Sequence, residues 1–147
     1  MAGVEFVGCL GAEDGVHLAR QQQLARRAAL DDLALLSTGQ SVLPAEFWER
    51  NGNNLTSWQQ EGRTFYKITG PDVEKWFTNQ LVHDGKADGF EAIVRELDRR
   101  SATLEMISNY RSHHSVWGIN ARNREQNFAL NLLMDPNIDF VSLLGNA

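Results

Sequence analysis

The sequence predicts an α+β chain: an N-terminal helix, a small antiparallel sheet or partial barrel in the middle, and a C-terminal helix followed by a strand. Three observations carry that expectation. Leucines and alanines recur at helical spacing between Leu18 and Leu36. Short β-prone runs alternate with turn residues between Arg63 and Ile107. Near the end, an amphipathic stretch is followed by a continuous apolar run.

Composition bounds the possibilities. A length of 147 residues is about one domain's worth. Fourteen Lys+Arg against nineteen Asp+Glu give a net charge of −5, which excludes a chain that coats nucleic acid over its whole surface and leaves room for a local basic patch. No apolar run reaches the ~18–20 residues of a membrane helix, so no membrane partner is expected. Glu5, Glu13, Asp14, His17 and Arg20 interrupt the first thirty residues, unlike a secretory signal. Cys9 is the single cysteine and has no internal disulfide partner, which fits a reducing cytoplasm.

Residues 1–40 form the first segment. A weak apolar stretch, Val4 to Leu10, precedes the helical pattern of Leu18, Leu24, Ala25, Ala28, Leu33, Leu35 and Leu36, which Gly39 stops. Arg26 and Arg27, followed by Asp31 and Asp32, read as a solvated face with ion pairs one turn apart.

Residues 41–115 form the second, a β-rich module. Pro44 to Trp48 reads as a short helix with proline in its first turn. Asn51-Gly52-Asn53-Asn54 is a loop. Arg63 to Ile68 has strand composition, and Gly70-Pro71 breaks it. Gln80 to His83 is a short strand before the turn Asp84-Gly85. Phe90 to Leu97 and Ala102 to Ile107 flank Asp98-Arg99-Arg100-Ser101 as a hairpin, with a helix over Phe90 to Arg100 as the rival. Phe65, Trp76 and Trp117 are expected to be core.

Residues 116–147 form the third. Arg122 to Met134 reads as an amphipathic helix, with Phe128, Leu132 and Leu133 on one side and Asn123 as a cap. Asp135-Pro136-Asn137 ends it. Ile138 to Leu144 is apolar at most positions, the pattern of a strand covered on both faces. Gly145 follows. Helix, turn, buried strand and glycine is the order in which a phosphate-binding loop begins, although a strand ending in glycine is common elsewhere. Gly145, Asn146 and Ala147 could supply the first three positions of such a loop. Its lysine and its Ser/Thr are not among the 147 residues.

The run Val116-Trp117-Gly118-Ile119-Asn120-Ala121-Arg122-Asn123-Arg124-Glu125-Gln126-Asn127-Phe128-Ala129-Leu130, continued by Leu132 to Pro136 and Phe140 to Gly145, resembles the entry to the ATPase domain of PhoH-like proteins. In that family a W-G-I-x-x-R-N-x-E-Q-x-x-A-L-x-L-L segment precedes a V-x-L-L-G strand and then the P-loop. Leu43 to Trp48, Gly62 to Tyr66 and Asn79-Gln80 resemble the middle region of the longer members, which carry a PIN-type nuclease domain ahead of the ATPase. Asp32 to Gly39 resembles the exit from that nuclease domain. Residues 1–30 do not resemble it, and acidic ligands for a nuclease Mg²⁺ are not identifiable.

The resemblance implies an internal piece of a larger protein, in which residues 116–147 start a P-loop α/β domain. For that whole protein it implies ATP with Mg²⁺ as cofactor, RNA as partner, a ring-shaped homo-oligomer, and RNA unwinding coupled to RNA cleavage. It implies that Gln126 recognises adenine and that Arg122 contacts base or phosphate. A glutamine amide suits this chemistry, because it donates and accepts at the adenine N6/N7 edge. The same two residues also suit an exposed first helical turn stabilised by Glu125. Without the lysine that reaches the phosphates, residues 1–147 are expected to bind ATP weakly and to have no catalytic residue.

Two further sets remain. Arg63, Lys67 and Arg111, interleaved with Phe65, Tyr66 and Trp76, are candidates for RNA contact through phosphate and stacking. Arg99 and Arg100 are weaker members of the set. A metal site is not expected: His83, His113 and His114 lack ligand spacing, and adjacent histidines in a strand face opposite ways.

Overall fold

The computed structural model describes residues 4–10 and 39–145. Two compact units emerge: Gln40–Ser108, and a second that joins the N-terminal part to the chain from Asn109 onward. The architecture is α+β, as the sequence predicts. The expected N-terminal helix, with its two arginines and two aspartates, falls outside the described residues.

The unit Gln40–Ser108 is built on one six-stranded sheet. Its strands are β2 (Gln40–Val42), β3 (Leu55–Gln60), β4 (Arg63–Thr69), β5 (Leu81–His83), β6 (Glu91–Asp98) and β7 (Ser101–Met106), in the order β2-β5-β6-β7-β4-β3. All neighbours are antiparallel except β2 and β5. The sheet is therefore mixed, not wholly antiparallel as expected. The segment from α1 (Phe47–Asn51) to β4 separates β2 from β5 and leaves room for a parallel return.

Local chemistry fixes the hairpins. Glu61 and Gly62 both have positive φ, 51° and 77°, as a two-residue type I′ turn requires. That turn pairs β3 with β4 from Gln60↔Arg63 to Leu55↔Ile68. The hairpin expected around Asp98 to Ser101 forms, and the rival helix does not. The Asp98 carboxylate accepts the N–H of Arg99 at 2.7 Å. A bulge between Val94 and Glu96 inserts one residue into β6. Its effect is on the faces: alternation alone would separate Val94 from Leu97, and the extra residue returns Leu97 to the same core.

One face of the sheet carries Val82, Ala92, Val94, Ala102, Leu104 and Ile68. Phe47 from α1, with Leu43, Val73 and Trp76, closes over it. Phe47 is fully buried, and its ring lies 5.2 Å from Trp48 and 5.9 Å from Trp76. Burying a side chain of this size contributes about 2–3 kcal/mol. The predicted loop Asn51 to Asn54 is instead the end of α1 and one 3₁₀ turn, Gly52–Asn54. Pro71–Lys75 is a second such turn.

In the other unit, β1 (Val4–Leu10) pairs antiparallel with β8 (Phe140–Gly145), and α2 (Arg124–Leu133) lies against both strands. Phe128 and Leu132, one turn apart, are buried. Leu133 is not: it sits about 100° round the helix from Leu132 and is exposed, against expectation. The strand expected to be covered on both faces is also open, with Phe140 62% and Leu143 47% exposed. The described part of this sheet has two strands only, with α2 against it. No helix among the described residues is long and apolar enough to cross a membrane.

Candidate functional site

The start of α2 is built by its own side chains. Asn123 is extended, with φ −143° and ψ 178°, and its Oδ1 accepts the N–H of Gln126 at 2.9 Å. Its backbone carbonyl accepts the N–H of Asn127. The Gln126 side chain turns back, and Oε1 accepts the N–H of Arg122 at 2.8 Å. This is a capping box displaced by one residue, since the reciprocal bond reaches the residue before the cap. Glu125 adds negative charge to the first turn, where the helix dipole favours it.

Arg122 and Gln126 are thus brought together by one hydrogen bond. The amide oxygen of Gln126 keeps a second lone pair, and its NH₂ donates to no group among the described residues. The helix leads through Asp135, whose Oδ1 accepts both the N–H and the Nδ2 of Asn137 and holds the turn at Pro136. The chain then enters β8, which ends on Gly145 opposite Val4. Asn146 and Ala147 lie outside the described residues.

A buried asparagine went unread in the sequence. Asn127 is 1% exposed, and its Oδ1 accepts the N–H of Tyr110 at 2.7 Å. Tyr110 in turn accepts from Ala121 through its carbonyl at 2.9 Å. Asn127 therefore ties the loop 109–121 to the helix that carries Gln126. The signal was available: a polar residue directly beside Phe128 on the inward side of an amphipathic helix.

Trp117, expected in the core, is 94% exposed. Val116 and Ile119 exchange two backbone hydrogen bonds, 3.0 and 2.9 Å, around Trp117 and Gly118, whose φ values are 50° and 82°. This is a two-residue type I′ turn, and its tip faces water. Of the other two rings, Trp76 is buried, and Phe65 is half-buried and stacked on Trp58 at 5.5 Å.

The remaining cations divide between the units. Arg63 and Lys67 share one face of β4 with Phe65. Arg63 is paired with Glu105 at 2.9 Å, and the same carboxylate receives Arg95 at 2.6 Å. Lys67, Arg99 and Arg100 are exposed, and Arg111 belongs to the other unit. His113 and His114 lie in a turn, not a strand, with both backbone N–H groups on the Asn109 carbonyl. Among the described residues no group of three His, Cys, Asp or Glu is placed to hold a metal ion. Compared with protein-family models, curated proteins and solved structures, the chain matches none.

Proposed function

We propose that the chain supplies the adenine-recognition segment of a PhoH-like, ATP-dependent RNA-processing protein. The observation that carries this reading is the Gln126 side chain, anchored through Oε1 to Arg122 at the first turn of α2. An anchored amide loses little rotamer freedom when it meets a ligand. Its NH₂ donates to adenine N7, and the second lone pair of Oε1 accepts from N6. Arg122 is exposed beside it, suited to stack on the base or reach a phosphate. Gly145, with Asn146 and Ala147, would open the phosphate loop after β8. ATP with Mg²⁺, RNA as the substrate, a ring-shaped homo-oligomer and a cytoplasmic location belong to the same proposal.

Titrating the ¹⁵N-labelled chain with ATP to millimolar concentration tests it. The Arg122 backbone amide and the Gln126 side-chain amide are expected to shift with ATP and not with GTP. Equal shifts with both nucleotides, or none at either amide, would overturn the reading.

A second reading is a module that binds RNA through the sheet unit. The Trp58–Phe65 stack, beside Arg63 and Lys67, favours it. A combined Arg63→Ala and Lys67→Ala variant should then lose salt-dependent binding to single-stranded RNA. Unchanged binding would reject it.

A further inference from the structure

We infer that the Val116–Ile119 hairpin is a stacking platform for single-stranded nucleic acid, with Trp117 taking a base and the arginines of the same stretch of chain countering the phosphates. It rests on exposure, backbone conformation and charge; it shares Arg122 with the adenine reading but does not depend on that reading.

Trp117 is anomalous on two counts. A tryptophan exposed to 94% leaves a large apolar ring in water. The same residue holds φ at 50°, the left-handed region that bulky side chains seldom adopt. Packing among the described residues explains neither, because an asparagine or glycine would make this turn more easily. An observed outlier of this kind points toward function.

The mount is rigid. Val116 is buried and bonded both ways to Ile119. Asn120 Nδ2 donates to the carbonyls of His114 at 2.9 Å and Tyr110 at 3.4 Å. Tyr110 is held by Asn127 from α2. The ring is therefore presented from a closed loop, and binding need not order it first.

Charge selects the occupant. The chain is acidic overall, at −5, yet residues 106–124 contain no carboxylate. That stretch carries Arg111, Arg122 and Arg124, with His113 and His114. A stretch of chain with three arginines and no carboxylate, carrying one open aromatic ring, matches a base and its phosphates. Unstacked bases offer the ring a free face, whereas a duplex hides them.

The test is fluorescence anisotropy with labelled oligo(U), oligo(dT) and a matching duplex, at about 50 and about 200 mM salt. Trp117→Asn keeps the turn and removes the ring. Both single strands are expected to bind, more weakly at the higher salt. Trp117→Asn should weaken binding about tenfold or more. Arg122→Ala should weaken it and flatten the salt dependence by about 0.7 in log–log slope. Trp117→Asn should leave the ATP-specific shift of the Gln126 amide intact, which separates this surface from the adenine site. The inference is overturned if no single strand binds at low salt, or if Trp117→Asn binds as well as wild type. Preference for the duplex overturns it too. So does a Trp117-dependent dimer in sedimentation without nucleic acid, which would assign the tip to a second copy.

Discussion

Oε1 of Gln126 accepts the backbone N–H of Arg122 at 2.8 Å, so the side chain proposed to recognise adenine also caps its own helix. The two roles share Oε1, and only the adenine contact uses the NH₂. Capping needs the acceptor oxygen, whereas the adenine N7 contact needs the NH₂ donor. Gln126→Glu keeps an acceptor and adds charge favourable at a helix N-terminus. Its melting temperature should stay at or above wild type, while the ATP-specific shift at Arg122 disappears. Gln126→Ala removes both functions and should also cost about 0.5–1 kcal/mol of stability. Thermal melts read alongside the ATP titration check the separation. A glutamate variant that still distinguishes ATP from GTP would show that the amide donor is not used.

Asn127 holds the Tyr110 N–H inside the protein, and its loss should be felt in the loop rather than the helix. Asn127→Ala leaves that donor without its acceptor, a change worth about 1–3 kcal/mol. Asn127→Asp retains an acceptor and should lose less at neutral pH. Hydrogen exchange at Tyr110 and Ala121 is the direct measurement. Both amides should lose protection in Asn127→Ala, while the β6–β7 amides, within Gln40–Ser108, keep theirs.

Glu105 joins two guanidinium groups of unequal exposure. The Arg63 side chain is 54% exposed and that of Arg95 21% exposed, while the Glu105 side chain is 9% exposed. Water screens the Arg63 pair, so Arg63→Ala should cost about 0–1 kcal/mol. Glu105→Ala strips the carboxylate from the more buried Arg95 and should cost about 2–4 kcal/mol. Urea unfolding of the two variants gives the comparison. Near-equal losses would mean that the outer pair matters as much as the inner one.

The parts of the fold legible in the sequence are those where local chemistry and burial agree. The Asp98–Ser101 hairpin and the Asn123 cap follow from residue types at the turns themselves; the short helix expected over Pro44 to Trp48 forms instead over Phe47–Asn51, with Pro44 outside it. β3 was hidden because Thr56, Ser57, Gln59 and Gln60 offer no apolar alternation; its pairing comes from the Glu61-Gly62 turn and the neighbouring β4. The parallel β2–β5 pair is a long-range choice that no local pattern encodes. At the candidate site, the Asn123 cap could be read from its residue type before the helix, whereas a role for Gln126 comes from the family resemblance and not from spacing. Asn127 leaves only a positional signal, a polar residue beside Phe128 on the inward side, and Trp117 leaves none, because an exposed tryptophan runs against composition. Such reversals of the ordinary burial rule concentrate where something besides folding sets the residue.

Trp117 permits a prediction in which stability and function move in opposite directions. Its ring contributes little to packing at 94% exposure, while its φ of 50° is unfavourable for a bulky residue. Asparagine populates that region several-fold more readily and leads at this turn position. Trp117→Asn should therefore stabilise the protein by about 0.5–1 kcal/mol, seen as a rise of about 1–4 °C in Tm. Gly118, with φ 82°, supplies the opposite control: Gly118→Val places a β-branched residue in the left-handed region and should lower Tm. A Trp117→Asn variant that melts lower than wild type would mean that the ring is packed in solution, and the case for an open stacking surface would fail with it.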